Sequence, residues 1–97
     1  MNVEVRRLAE AELAEAAAWY NLQLPGLGIR FLDQFEIDVS VIGEAPNRWP
    51  LFHAGSRRYV MSKFPFVIYF DVRRETVRIL RVVHSSRDPG EVRKSLE

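Results

Sequence analysis

The chain contains no cysteine among its 97 residues. That excludes a disulfide framework and any thiolate metal site, and it fits a reducing compartment. Histidine is nearly absent too, with only His53 and His84. Neither stands at a spacing from Asp or Glu that resembles a ligand pattern, so no metal and no cofactor is expected. Glycine and proline number five each, and no repeat, linker or low-complexity segment interrupts the chain. No window approaches the roughly 18 charge-free apolar residues that a membrane span requires. The N-terminal MNVEVRRLAEAELAEA lacks the unbroken apolar stretch of a signal peptide. A cytoplasmic protein without membrane contact is the expectation.

What is present describes one small soluble domain over residues 1–97. At 47% hydrophobic and 28% charged, the composition is ordinary for a globular fold. The net charge of +1 conceals a split. Residues 1–47 carry eight acids against three bases, a balance of −5; residues 48–97 carry eleven bases against five acids, a balance of +6. A basic half of this kind suits an acidic partner, and segregated solvated charge is the plainer alternative.

Val3 and Val5 alternate with Glu4 and Arg6, which suggests a short first strand. Leu13, Ala16, Ala17, Tyr20 and Leu24 then fall on one helical face, within an alanine-rich stretch of high helix propensity. Pro25-Gly26-Leu27-Gly28 ends that helix. Leu27, Phe31, Phe35, Val39 and Ile42 form the stripe of a second helix, with Asp33, Glu36 and Asp38 read as lying off it. A helical hairpin over about 8–44 follows. After the proline-bracketed APNRWP the period drops to two. RRYVMSK alternates, FPFVIYFDV is apolar throughout as a strand buried on both faces, and TVRILRVVHS alternates again. In the last strand Val77, Ile79 and Val83 are read as opposed to Leu80 and Val82. The sheet, about 56–85, is expected to be antiparallel because its connections are short. The tail 88–97 reads as short and polar. The fold class is α+β, in two layers.

EAAAWYNLQLPGLGIRFLDQFE, NRWP, RRYVMSKFPFVIYFDV and VVHSSRDP, in that order, resemble the RelE/ParE superfamily of toxins from type II toxin–antitoxin pairs. The likeness spans about residues 8–89. It implies an N-terminal helical hairpin on a small curved antiparallel sheet, and a cognate antitoxin wrapping an extended or helical segment around the toxin. It also implies one of two activities: poisoning of DNA gyrase in the ParE-like branch, or ribosome-dependent cleavage of messenger RNA in the RelE-like branch.

Metal-free RNA cleavage needs a base, an acid and cations facing the scissile phosphate. Arg87 matches the arginine that RelE-like nucleases place after the last strand, and Arg58 and Lys63 supply cations on the preceding strand. Two departures stand against that activity. Val67 occupies the position of a strand arginine, and the tail, with Arg93 near the expected tyrosine position, has no aromatic residue. The resemblance therefore favours the ParE-like branch: a plasmid-stabilisation toxin that binds gyrase, more a target poison than an enzyme. A metal-independent endoribonuclease acting on the ribosome and its message is the alternative. His84 beside Ser85 cannot form a dyad, because successive strand residues point to opposite faces. Arg58, Lys63, His84 and Arg87 are the candidate target contacts, acting as binding groups. Alanine at Arg87 is expected to abolish growth inhibition and to spare antitoxin binding. Trp19 lies just off the core stripe, where either packing or cover by the antitoxin accounts for it. Phe66, Tyr69 and Phe70 read as core aromatics, and the Arg73-Arg74 pair as a hairpin tip.

Overall fold

Small side chains shape the helical layer. Strand β1 (Asn2–Val5) leads into helix α1 (Arg7–Gln23), which turns its Ala9, Leu13, Ala16 and Ala17 inward. Helix α2 (Leu27–Glu44) packs back against it through Phe31, Phe35, Val39 and Ile42. The turn between them needs two glycines. Gly26 adopts φ +90°, a left-handed conformation that suits glycine. A Cβ on Gly28 would lie 2.3 Å from the Ala17 carbonyl oxygen, so the helices cross closely only because Gly28 has none. Asn21 Oδ1 accepts the Gly28 N–H at 2.8 Å and satisfies one of the free amides at the start of α2. Leu24, placed on the core stripe by periodicity, is 52% exposed because the helix has already ended before it.

The computed structural model describes residues 1–97. After a 3-10 turn (Pro46–Arg48) come strands β2 (Leu51–His53), β3 (Ser56–Val60), β4 (Phe66–Arg73) and β5 (Thr76–His84), then a short helix α3 (Pro89–Lys94). The sheet order is β1-β5-β4-β3-β2. The expected α+β architecture holds, with two differences. The sheet is mixed, because β1 pairs with β5 in parallel, the whole helical hairpin lying between them in sequence. It also gains β2, an edge strand that the prolines around it obscure in the sequence. The hairpin turns Ala54-Gly55 and Arg74-Glu75 all take positive φ, as type I′ turns require. No helix is long and apolar enough to cross a membrane.

Core packing occupies both faces of β4, as its unbroken apolar run predicts. Ile68 and Phe70 face the helices, with the aromatic rings of Tyr20, Phe31, Phe64 and Phe66 meeting at centroid distances of 5.0–6.2 Å. Val67 and Tyr69 face the other way and are covered by Val92 of α3. The tail is thus a folded cap. Asp88 accepts the Gly90 N–H at 2.9 Å as N-cap, Pro89 fits the first turn, and Val92 is 1% exposed.

Two sequence assignments are corrected. Pairing passes from Tyr69–Arg81 to Phe70–Ile79, so Leu80 is an extra residue, a β-bulge. The bulge reverses the alternation: Val82 joins Val77 and Ile79 against the helices, and Val83 faces outward. Asp38 is 1% exposed and sits on the inward face of α2, between Phe35 and Ile42. It accepts from Tyr59 Oη at 2.8 Å, Ser62 N–H at 3.0 Å and Gln34 Nε2 at 3.2 Å, which compensates the lost water.

Candidate protein-docking groove

The order of strands leaves a gap in the sheet edge. β1 accompanies β5 only as far as the pair Val5–Ile79. Arg6 N–H still bonds the Ile79 carbonyl at 3.0 Å, and then the chain leaves as α1. Beyond Ile79 the outer edge of β5 has no partner strand, and α1 runs alongside it.

Glu12 of α1 closes the first part of that edge. Its Oε1 accepts the Val82 N–H at 2.9 Å, and its carboxylate is gripped by Arg81 Nε and Nη2 at 2.7–3.2 Å. Arg81 also donates through Nη1 to Ser95 Oγ, so one guanidinium ties α1, β5 and the end of α3. The pair is mostly buried, with side chains 9% and 15% exposed. Such a charge-assisted, bidentate contact fixes geometry strongly.

A groove of about 650 Å³ opens past this clamp. Its helical wall carries Glu15, Ala16, Trp19 and Tyr20; its sheet wall carries Pro65, Phe66, Val82, His84 and Arg87. Within a strand the N–H and C=O of one residue point the same way, and residues two apart repeat the direction. Since Val82 N–H faces the groove, so do Val82 C=O, His84 N–H and His84 C=O. Arg87 N–H takes the last of these at 2.9 Å. Val82 C=O and His84 N–H remain for an incoming chain.

His84 is held in one tautomer. Its Nδ1 accepts the Ser86 N–H at 3.0 Å and lies 2.8 Å from Ser86 Oγ. A ring nitrogen that accepts an amide proton carries none of its own, so the neutral ring bears its proton on Nε2. The ring also packs edge-on to Phe66, with centroids 5.4 Å apart. No carboxylate orients this imidazole, and Ser85 does not touch it; the contact with Ser86 is a local turn. Arg87 belongs to no ion pair.

The candidate residues therefore divide. Trp19, 56% exposed, shares the groove with His84 and Arg87. Lys63, expected on the strand, instead sits in the β3–β4 loop because β3 ends at Val60; Pro65 of that loop and its end at Phe66 form part of the same groove. Arg58 does not join them. It lies on the outer face, opposite Tyr69, with Nε donating to Tyr69 Oη at 3.3 Å. There Arg58, Tyr69 and Arg81 stand in register across three strands, but Tyr69 is 1% exposed and Arg81 is committed to Glu12. Val67 is likewise buried, against Val92, where a charged residue would lose its water. No group of three His, Cys, Asp or Glu side chains could hold a metal ion. Sequence reasoning missed Glu12, Phe66 and Val82. The usable signal was the spacing of Glu12, Ala16 and Trp19, which places all three on one helix face.

Residues 3–89 match the ParE_toxin family, described as the ParE toxin of the type II toxin-antitoxin system parDE. Among solved structures the chain is similar to a chromosomal ParDE toxin–antitoxin system from P. aeruginosa. The TM-score is 0.76 at 22% identity, over 87% of this chain and 95% of that one, a likeness of fold. No curated protein matches the chain.

Proposed function

Because the chain belongs to the ParE toxin family of type II toxin–antitoxin systems, we propose that it arrests growth by binding DNA gyrase and that a cognate antitoxin silences it from the groove between α1 and β5. One observation carries the second half: an apolar groove that contains an unpaired strand edge. An extended segment would hydrogen-bond Val82 C=O and His84 N–H as an added strand. An apolar side chain would cover Trp19 and the half-buried Phe66, removing the exposed apolar surface that makes a lone toxin sticky. A carboxylate would meet Arg87 and the Nε2–H of His84. The acidic hairpin and basic sheet then guide the approach of a partner carrying both charge signs.

The target half rests on the family and on Lys63 and Arg87, two exposed cations without acid partners at one end of the sheet. Binding a protein target needs such cations and no aligned acid and base. Antitoxin and target would compete for His84 and Arg87, so neutralisation is by occlusion.

Induced expression in a bacterial host should stop growth, and co-expression of the product of an adjoining short reading frame should restore it. Purified toxin should inhibit gyrase supercoiling and trap cleaved DNA. Cleavage of messages on translating ribosomes, with gyrase untouched, would replace gyrase by the ribosome as target. Within the groove, Trp19→Ala should weaken antitoxin binding by roughly 2 kcal/mol, about thirtyfold in Kd by titration calorimetry. Arg87→Ala, expected from sequence to spare the antitoxin, should weaken both activities now that it shares a groove with Trp19.

A further inference from the structure

The β3–β4 loop carries a lysine where glycine would be cheaper. Lys63 has φ +68°, in the left-handed region that costs a side-chain-bearing residue strain. The other non-glycine residues with positive φ, Ala54, Arg74 and Glu75, lie in the two-residue hairpin turns, where the turn type demands it. Lys63 is different: it stands alone, in a longer loop, between two fixed points.

Those points are visible on either side of it. Before it, the Ser62 N–H is held at 3.0 Å by the buried carboxylate of Asp38. After it, Phe64 is packed edge-on against Tyr20 and Phe31, at centroid distances of 5.1 and 5.2 Å. The Met61 N–H closes the loop onto the Phe66 carbonyl at 2.9 Å, and the Phe66 N–H turns back to Phe64 at 2.8 Å. Lys63 has no freedom except to project into solvent, where it is exposed. It forms no ion pair within the chain.

Asp38 has no cation beside it either. All three of its donors are neutral, an expensive arrangement for a buried carboxylate that a smaller apolar core would avoid. Asparagine could not substitute for it, since one amide end would present N–H groups to donors.

We propose that Asp38 is a positioning residue that holds the 61–66 loop rigid, and that Lys63 is thereby presented as a direct contact for a carboxylate on the toxin's protein target. This rests on the reading of the chain as a target-binding toxin. With the loop backbone already ordered, contact with a target costs only the ordering of the Lys63 side chain, which explains why strain is tolerated at this point. Lys63 then belongs with Arg87 and His84 at one end of the sheet, apart from Arg58.

The test compares variants by the toxin level, measured by immunoblot, that halves growth rate, together with thermal midpoints. Lys63→Gly removes the charge and relieves the backbone. It should require about tenfold more toxin, the loss of one charge contact, with a midpoint no lower than that of the wild type. Lys63→Arg should recover most of the potency. Asp38→Asn should lose potency although Lys63 is intact, and combined with Lys63→Gly it should lose no more than Lys63→Gly alone. Tyr59→Phe removes a different donor from the same carboxylate while leaving Ser62 tethered; it should lower the midpoint and keep potency. Wild-type potency in Lys63→Gly overturns the inference. Equal potency loss in Tyr59→Phe and Asp38→Asn at equal midpoints reduces Asp38 to a structural group. A wild-type chain that never slows growth overturns the toxin reading itself.

Discussion

The two faces of the sheet are built to different standards. The face toward the helices contributes to a core of fifteen buried residues, centred on Phe31, Ile42, Ile68, Phe70 and Ile79. The opposite face has a core of four, Val67, Tyr69, Val83 and Val92, and one six-residue helix to cover it. A helix that short has no stability of its own. Its attachment rests on Val92, on the Asp88 cap and on contacts such as Arg81 with Ser95 and His53 with Glu97, the last at 3.0 Å. The inner face holds the molecule together. The outer face is a lid over residues that would otherwise be exposed.

That contrast is broken most directly from the inside. Phe31→Ala removes a fully buried ring from the centre of the aromatic set and should cost about 3–5 kcal/mol in denaturant unfolding. For a domain whose whole stability is about 5–15 kcal/mol, the variant should be partly unfolded at growth temperature. Next comes the clamp between the layers. Glu12→Ala leaves Arg81 without its carboxylate and Val82 N–H without its acceptor, and should cost about 3 kcal/mol. Glu12→Gln retains an acceptor and should cost less. The smaller effect lies outside: Val92→Ala should cost about 1.5 kcal/mol, from two methyl groups. Hydrogen exchange should show that loss confined to residues 89–97 and their footprint. If Val92→Ala instead destabilised the whole domain as much as Phe31→Ala, the two faces would form one cooperative unit.

The same contrast explains what was legible beforehand. The inner layer announces itself through period: the stripe of α2 and the apolar run of β4 are repeated signals, each position supporting the next. The outer layer depends on single residues. Val92 and Leu96 are the two apolar residues in GEVRKSLE, a single turn apart and too few to establish a period. The bulge at Leu80 leaves no trace in composition, so the faces of Val82 and Val83 were exchanged. Charge suggests exposure and so sets Asp38 off its stripe; hydrogen bonds from Tyr59 and Ser62, with a third from Gln34 one turn earlier, override that rule. The groove was half legible. Trp19, His84 and Arg87 each stand out in the sequence as candidates, but their convergence depends on where β1 stops, which is a matter of pairing and is absent from any one segment.

The smallest effect probes the seam between α2 and β3. Burial raises the Tyr59 phenol above its ordinary value near 10, and its hydrogen bond to the Asp38 carboxylate raises it further. The folded state therefore favours the protonated phenol more than the unfolded chain does. The resulting stability is complete below the unfolded value, near pH 10, and is lost as pH rises through the higher folded value. Between pH 6 and 9 the Tyr59 contribution should be flat. Above about pH 10, the wild type should lose stability faster than Tyr59→Phe, which has no phenol to ionise beside a carboxylate. Parallel alkaline unfolding curves for the two proteins would mean that the phenol does not depend on Asp38 as the geometry requires.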